Sequence, residues 1–510
     1  MPRENEQIVR KYFNQTDSEH VWKCKCGKKL TQKKGTGWTN LMNHIKNQHP
    51  EYSTTQATGQ PSSSSFLSPR SSLVSRSALN VYGWIEWVCV GLKPFSFTED
   101  PLTHKYTNLG SITNVTIKKY MEKLTQEVEK KISDELPSKF LLVIDGWTKG
   151  STHFIGLFAS YSCNYQNDYC TVLLAFSPMV SETSFTASDY VEFIEYVLSV
   201  YNKNLENVVA ITGDNTEVNK SIANLCRIPL IGCAFHKFNL AVSAYLDKQE
   251  VLLNKINTLM GKLKSLKLAG KLREKTPLQP IQRNKTRWTT TYDMIERYIQ
   301  LKPFLDSFQD DPKLVDYLLT QLDHNDLQTL KDNLGKLRSV TIALQRTELD
   351  LGDARILFDE ILALYPYEEF KEYLLPSAAI VHSPNFESGA VKILQHAETE
   401  LTVDEVAALH QLKVVTDTSQ QSDLPVEDDD FASICLKKQK KNKISPQQYL
   451  NCRFLLPTSN ILERFFSSAG YAFNDFWQYL TPMNLEMQLF LKVNRAFWDE
   501  DLVSEICTRS

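Results

Sequence analysis

The sequence lacks a strong excess of charge of either sign and lacks any long apolar run. Its 510 residues carry 57 basic and 60 acidic side chains, so any surface that binds nucleic acid must be local. The most apolar stretch, around 81–92, is broken by Glu86 and followed by Pro94, so we expect no membrane association. The first residues lack the apolar core of a signal peptide. Its 10 cysteines have no framework spacing, which favours a reducing compartment.

The composition changes along the chain in a way that predicts several domains. Residues 52–80 are rich in serine and predict a flexible linker. Three strand patterns between 140 and 180 are followed by alternating helix and strand patterns up to 236. This succession predicts a mixed sheet with an antiparallel start and a parallel finish. From 239 onward the apolar spacing is mainly helical.

Two aspartates end predicted strands: Asp145 follows FLLVI, and Asp214 follows VVAITG. If the two strands are neighbours, both carboxylates project from the same end of the sheet. Two such charges repel by roughly 4 kcal/mol at about 4 Å and an effective dielectric constant of about 20. A divalent cation with oxygen ligands, such as Mg²⁺, would remove this conflict and could serve phosphodiester cleavage. The alternative for each aspartate alone is an ordinary cap of the next helix or turn.

The N-terminal segment contains a different set of potential metal ligands. Cys24 and Cys26 are followed by His44 and His49, which predicts a zinc finger. The first half departs from the usual pattern because C-x-C replaces C-x-x-C, and His20 is an alternative ligand. A segment of this size with few large apolar side chains needs a metal for stability. We expect a small core around the ion, formed by Trp22, Trp38, Leu41 and Ile45.

The same segment carries many lysines, among them Lys33 and Lys34, and this local positive face favours contact with DNA phosphates. Thr39, Asn40 and Asn43 lie near the start of its last predicted helix and could reach base edges. The alternative is an ordinary solvated lysine surface. We therefore predict a zinc-stabilised module that binds double-stranded DNA.

Five segments of the chain occur in the order found in transposases of the hAT superfamily. They are IDGWTKGSTHFIGLFASY, ITGDNTEVNKSIANL, CAFHKFNLAV, NKTRWTTTYDMIERY and PTSNILERFFSSAG. The chain resembles this superfamily over roughly residues 85–500, and its N-terminal module resembles a BED-type finger. The resemblance implies a multidomain protein with a small zinc finger and an α/β ribonuclease H-like catalytic domain. An all-helical insertion interrupts that catalytic domain.

The resemblance also implies domain boundaries, each with its own role. They are 1–51 for the BED-type finger, 52–80 for the linker, 81–137 for a helical DNA-binding or oligomerisation region, 138–238 for the first part of the ribonuclease H-like domain, 239–450 for the all-helical insertion with an acidic and basic loop near its end, and 451–510 for the last part of the catalytic domain. In this superfamily the last part also contributes to a subunit interface. We therefore expect a homo-oligomer formed through the C-terminal region.

By the same resemblance, Asp145, Asp214 and Glu463 form a catalytic triad that binds Mg²⁺ or Mn²⁺. Taken alone, the segment NILERFF predicts a helix with a core face, and Glu463 would simply face solvent. Cys233 and His236 are two ligands only, too few for a structural zinc site. The resemblance implies instead that this pair lies beside the catalytic centre, with His236 near DNA.

Arg287 and Trp288 match the position at which relatives stabilise a distorted or flipped base at the transposon end. A basic residue beside an aromatic one suits phosphate contact and base stacking. The alternative is that Trp288 anchors the insertion to the catalytic core. Residues 437–443 (KKQKKNK) are either a nuclear-localisation signal, a contact to a DNA strand or an exposed charged loop.

These features together predict a nuclear DNA transposase of hAT type. It would bind transposon ends and target DNA, and catalyse metal-dependent cleavage and strand transfer. Its cofactors would be a structural Zn²⁺ in the finger and a catalytic Mg²⁺ or Mn²⁺. The alternative is a domesticated, catalytically idle transcriptional regulator that binds DNA and dimerises in the nucleus.

Overall fold

The computed structural model divides the chain into two compact units, residues 1–73 and residues 74–510. The structure describes Val9 and residues 12–16, 20–31, 38–48, 74–163, 169–179, 185–285, 287–305, 308, 311–414, 448–473 and 481–509. Within these residues, no helix combines the length and the apolar character needed to span a membrane. The segment 437–443 lies outside the described residues.

The described residues of the first unit include a three-stranded antiparallel sheet and a helix. Strands β1 (Phe13–Gln15), β2 (Val21–Cys24) and β3 (Lys29–Thr31) pair in sequence order, and helix α1 spans Thr39–Gln48. The predicted core forms as expected: its buried members are Val9, Phe13, Trp22, Cys24, Leu41, Met42 and Ile45, with Trp38 packed against them. So few apolar residues make a small core, in keeping with the expected need for a metal.

The second unit contains a five-stranded mixed sheet. Its strands are β4 (Phe140–Lys149), β5 (Thr152–Ser162), β6 (Tyr169–Pro178), β7 (Val208–Gly213) and β8 (Leu230–Gly232). The spatial order is β6-β5-β4-β7-β8, with antiparallel pairing among β4, β5 and β6 and parallel pairing of β7 with β4 and β8. The predicted mixed sheet is therefore confirmed. The inner strands are apolar without interruption because helices cover both faces.

The fifth strand is shorter than the predicted segment 230–236. It ends at Gly232, and the next residues begin helix α7 (Ala234–Asp247). The Ala234 amide donates to the carbonyl of Pro457 at 2.8 Å rather than to a neighbouring strand. Cys233 and His236 therefore stand at the start of a helix, and the prediction that they lie on a strand is wrong.

Helices make up most of the rest of this unit. Those before and between the strands are α2 (Arg76–Val90), α3 (Pro101–Tyr106), α4 (Asn114–Glu135), α5 (Ala187–Val200) and α6 (Glu217–Cys226). Those that follow α7 are α8 (Glu250–Leu263), α9 (Leu266–Arg273), α10 (Thr289–Leu305), α11 (Gln321–Leu344), α12 (Leu351–Leu364), α13 (Glu368–Leu374), α14 (Pro384–Leu394), α15 (Val403–Ala408), α16 (Asn460–Ala472), α17 (Pro482–Val493) and α18 (Glu500–Thr508).

The helical region has its own hydrophobic core, separate from the core around the sheet, and this core extends from Ala234 to Leu374. Helix α14 belongs instead to the core around the sheet. Just before this helix, Ser383 accepts a hydrogen bond from the Leu230 amide at 3.1 Å. Glu387, within the helix, accepts one from the Gly232 amide at 3.2 Å. The helix thereby covers the edge strand β8, and the part of the chain with a separate helical core is narrower than the predicted 239–450.

The helices before the sheet pack against the end of the chain. Helix α2 begins at Arg76, inside the segment predicted as a linker. The Gln488 side-chain amide donates to the carbonyls of Val88 and Lys93 at 2.7 and 2.9 Å. The apolar side chains of α17 are buried in the same core as the sheet. The apolar face of this helix thus serves as intramolecular core, which is the default for such a helix, and the homo-oligomer expected through the C-terminal region stays a prediction.

One disulfide, Cys163–Cys170, joins the ends of β5 and β6. The cysteine spacing did not predict it. The two strands are antiparallel neighbours, with Tyr161 opposite Cys170, so Cys163 lies just beyond the end of the pairing. Sheet register brings the two cysteines together, with their Cα atoms 5.9 Å apart.

Candidate functional site

Asp145, the first predicted carboxylate, lies inside β4, where the buried part of the strand ends. The prediction that Asp145 ends the strand is wrong, because β4 stays paired with β5 as far as Lys149. The five residues before Asp145 are buried, and Asp145 itself is half-buried. One carboxylate oxygen accepts a hydrogen bond from the Gly146 amide at 2.8 Å. Burial, and to a smaller degree the negative charges of Asp214 and Glu463, together raise the pKa of Asp145 to about 7, against the opposing effect of the Gly146 hydrogen bond. The three predicted carboxylates are thus electrostatic neighbours.

Asp214 follows β7, the parallel neighbour of β4. Thr212 lies opposite Val143 in the register, so Asp214 and Asp145 emerge at the same end of the sheet. The alternative, a helix cap, does not describe Asp214, because the cap of α6 is Thr216, whose hydroxyl accepts from the Asn219 amide. The Asp214 side chain is instead 3.8 Å from the ring nitrogen of a histidine further along the chain.

Glu463 lies in the first turn of α16 and is exposed, whereas Leu462, Phe465 and Phe466 form the buried face of the helix. Desolvation by neighbouring protein atoms on its inner side, followed by the charge of Asp214, raises the pKa of Glu463. The helix pattern alone predicted a solvent-facing residue. The structure agrees on its exposure and adds its proximity to the aspartates.

A glycine in β5 allows α16 to lie close to the sheet. Gly156 is directly opposite Asp145 in the register. A Cβ atom at this position would collide with the Leu462 side chain and would come within 3.1 Å of Phe466. Gly156 was not among the predicted site residues, although an isolated glycine inside an apolar strand often marks a position where another part of the chain packs closely against the strand. This contact fixes the position of Glu463 relative to Asp145.

The donor set suits hard divalent cations. All three side chains offer carboxylate oxygens, which Mg²⁺ prefers, and a cation would relieve the mutual repulsion that contributes to the raised pKa of Asp145. The carboxylate oxygens of the three side chains do not all lie within 4.8 Å of one another. Among the described residues, only the ligand atoms of Cys24, Cys26 and His44 form a group of three that does. A site for two ions does not require such a gathering, because each ion is held by a subset of the ligands.

The two residues of the C-x-x-H pair differ in their surroundings: Cys233 lies in the core, and His236 lies beside Asp214. Cys233 is fully buried, its sulfur accepts a weak hydrogen bond from the Ser459 amide at 3.5 Å, and burial raises its pKa to about 11. This side chain belongs to the core, and the DNA contact expected of Cys233 stays a prediction. His236 remains half-exposed, and its Nδ1 lies 3.8 Å from an Asp214 carboxylate oxygen.

Arg287 and Trp288 also differ in burial. Arg287 is exposed, and its charge lowers the pKa of Glu463, which places it beside the carboxylates. Trp288 is only 3% exposed and packs in the core of the helical region. Its indole does not face solvent, so the structure favours the alternative in which Trp288 is an anchor. Just upstream, Arg283 is held by Glu250 at 2.8 Å.

The finger contains a compact cluster of potential zinc ligands. One ligand atom each from Cys24, Cys26 and His44 lies within 4.8 Å of the others, and the Cys26 sulfur is 3.2 Å from the His44 Nε2. The C-x-C spacing works because the chain turns tightly here. The Gly27 amide donates to the Cys24 carbonyl at 2.8 Å, and Gly27 has a φ of 90°, which favours glycine.

The other predicted finger residues are only partly described. His49, Lys33 and Lys34 lie outside the described residues. Thr39 and Asn43 lie on α1, with their side chains outside the description, and Asn40 is exposed in the first turn of that helix. The alternative ligand His20 does not belong to the cluster of three. Thiolate and imidazole ligands of this kind suit structural zinc.

Comparison with known proteins gives three findings. A solved structure, the Drosophila P element transposase strand transfer complex, is similar over 90% of this chain and 98% of that chain, with 10% identity and a TM-score of 0.33. No curated protein matches significantly. Residues 9–50 match the family model described as BED zinc finger, the module that the sequence predicted at this end of the chain. Residues 9–50 are therefore a BED zinc finger.

Proposed function

We propose that this protein is a DNA transposase of hAT type. In this proposal, β4–β8 and α16 form a ribonuclease H-like catalytic domain, and the region with its own helical core is the insertion. The observation that carries it is the electrostatic proximity of Asp145, Asp214 and Glu463, which come from the middle of β4, the end of its neighbour β7 and a distant helix. Neighbouring carboxylates that raise the pKa of Asp145 and of Glu463 are typical of a functional site.

In the proposed reaction, the three carboxylates hold Mg²⁺ or Mn²⁺. When bound there, divalent ions would activate water or a DNA hydroxyl and stabilise the leaving oxygen. His236 lies close enough to Asp214 to orient its carboxylate. Arg287 is exposed beside Glu463 and supplies a positive charge for a DNA phosphate. The reaction is hydrolysis of a phosphodiester at the transposon end, followed by attack of the released DNA hydroxyl on a target phosphodiester. The attack joins the end to the target strand and releases a target hydroxyl.

The BED finger is proposed to bind double-stranded DNA at the transposon ends. Asn40 is exposed at the start of α1, where a side chain can reach a base edge. A nuclear location follows from DNA as substrate. Self-association remains part of the proposal, but it must use surfaces other than the buried apolar face of α17.

The test is an excision assay in cells, using a reporter gene interrupted by the element and its terminal sequences. Wild-type protein should excise the element, and Glu463→Gln should abolish excision because it removes one ligand charge. Glu505→Gln, a half-exposed glutamate on α18 that pairs with Arg509, is the matched control and should excise normally. Equal excision by Glu463→Gln and wild type would refute the triad.

A second function, a domesticated nuclear regulator, is favoured by one observation. The indole of Trp288, which relatives use at the transposon end, is buried in the helical core. In that case the wild-type protein would bind DNA through its finger but would not excise the element. If neither wild type nor Glu463→Gln excises the element while both bind DNA, the regulator function is identified.

A further inference from the structure

Three side chains outside the triad lie next to Asp145, on the other face of the sheet from α16. Thr148 and His153 are directly opposite each other in the β4–β5 register. Because side chains alternate along a strand, Thr148 shares a face with Gly146, while Trp147 shares the opposite face with Asp145. Trp147 stacks on Phe466 of α16, which identifies that opposite face as the one toward Glu463.

The imidazole of His153 is fixed at both nitrogens. Its Nδ1 lies 2.8 Å from the Thr148 hydroxyl, and its Nε2 lies 3.0 Å from the hydroxyl of Tyr190, on α5. The edge of Phe185 packs on the ring at a centroid distance of 4.9 Å. Burial lowers the pKa of His153, which favours the neutral ring. A neutral ring adds no positive charge beside a cation site.

The ring lies directly over Gly146. A Cβ atom at Gly146 would come within 2.7 Å of the His153 Cε1 and 2.8 Å of its Nε2, so only glycine fits. The amide of the same glycine donates to the Asp145 carboxylate at 2.8 Å. The imidazole and the carboxylate therefore contact the same residue, one through its Cα and the other through its N–H.

We propose that Thr148, His153 and Tyr190 form a brace that holds the Gly146 amide in place and so orients the Asp145 carboxylate for divalent-metal binding. The inference rests on the proposed function, because it assigns the brace to that metal site. The three residues are positioning residues and touch neither the metal nor DNA. Groups that orient a metal ligand through hydrogen bonds typically change metal affinity when they are lost.

The test measures Mn²⁺ binding to the purified, zinc-loaded full chain by electron paramagnetic resonance of free Mn²⁺. Tyr190→Phe and Thr148→Val each remove one hydrogen bond to the imidazole and should raise the Kd about tenfold. Gly146→Ala should act in the same direction by displacing the ring. Tyr196→Phe is the matched control, because Tyr196 lies on the same helix and is 69% exposed, and its Kd should be unchanged.

Two further measurements separate the possible failures. Asp145→Asn should lose the Mn²⁺ binding seen in wild type; retention would refute the proposed function and the brace with it. If Asp145→Asn loses binding while Tyr190→Phe, Thr148→Val and Gly146→Ala bind like wild type, only the brace is refuted. Thermal denaturation without added metal identifies any variant that fails to fold, and the remaining variants then decide the outcome.

Discussion

The two candidate metal sites of this chain are built over very different lengths of sequence. In the finger, Cys24, Cys26 and His44 come from one hairpin turn and the next helix. In the second unit, Asp145, Asp214 and Glu463 come from two strands and a helix far along the chain. The first site can be predicted from spacing, whereas the second exists only when distant elements pack correctly.

This difference predicts how each region depends on metal. The finger has a small core and needs the ion to fold. The carboxylates stand at the edge of a large hydrophobic core that includes the sheet and its flanking helices. A metal at that edge tunes a preformed site, because the surrounding residues are already packed without it.

The largest expected effect is loss of the finger fold when zinc is removed. Binding free energies of structural zinc are about 10–16 kcal/mol in small fingers, far more than this core can supply. Cys26→Ala or chelation of zinc should therefore unfold residues 9–50 and abolish DNA binding. Limited proteolysis of the full chain should show rapid cleavage in the N-terminal unit.

The same treatment should leave the second unit intact, with an unchanged thermal denaturation midpoint. Loss of both units together would contradict the distinction between a finger that needs metal to fold and a second unit that does not. Lys28→Ala, an exposed change in the same hairpin, serves as the control and should leave the finger resistant to protease.

The next effect concerns the close contact between α16 and β5. Gly156→Val should destabilise the second unit by about 3 kcal/mol, because an added side chain collides with Leu462 and Phe466. Mn²⁺ binding should weaken as well, because Glu463 moves with the helix. Chemical denaturation measures the first effect and titration the second. Gly270→Ala, in a helix with open space around it, should instead stabilise by roughly 0.5–1 kcal/mol.

The third prediction follows from the raised pKa of Asp145, about 7 against an ordinary value near 4. The folded state then holds the proton more tightly than the unfolded state. The stabilisation that this tighter proton binding by Asp145 provides is complete below about pH 4 and is lost as the pH rises through 7. Without added Mg²⁺, Asp145→Asn should therefore be more stable than wild type at pH 8, by about 2 kcal/mol after solvent screening.

The difference in denaturation free energy between Asp145→Asn and wild type should disappear near pH 4. Addition of Mg²⁺ at pH 8 should stabilise the wild type and not the variant. A pH-independent difference between the two proteins would show that ionisation of Asp145 is not the cause. Asp134→Asn, on α4, is the control and should show neither effect.

Much of this organisation was predictable from local sequence. Asp145 and Asp214 follow the apolar runs of two neighbouring strands, and the turn at Gly27 brings two cysteines together. The role of Glu463 was not predictable in this way, because its helix shows only an ordinary apolar face. Resemblance to a family, and not periodicity, singled it out.

Other features depend on tertiary packing that no local pattern carries. Cys233 and Trp288 are types of residue found both in cores and at binding sites, and their burial decides between the two. His153 and Tyr190 meet only through sheet register and the placement of α5. The helix at 234 begins early because a carbonyl from Pro457 takes the place of a strand partner.

The smallest effect tests how the helical region holds Arg287 beside Glu463. Arg283 and Lys285 both bind Glu250, at 2.8 and 2.6 Å, and these hydrogen bonds lower the pKa of Glu250 to about 2, that from Lys285 contributing most. The side chains differ in exposure, at 4% for Arg283 and 72% for Lys285. Arg283→Ala should therefore cost about 1–2 kcal/mol, because it removes a buried side chain together with its hydrogen bonds to Glu250 and Asn254.

Lys285→Ala should cost less than about 0.5 kcal/mol, because an exposed ion pair is screened by water and salt. Arg283→Ala and Lys285→Ala each remove one positive charge from the same segment. A difference between them therefore reports on the anchoring of the segment and not on the loss of a charge that contacts DNA. If Arg283 anchors the segment, its loss should lower both stability and DNA cleavage, whereas loss of Lys285 should leave stability unchanged. Equal stability of the two variants would mean that the position of Arg287 depends on other contacts of the helical region.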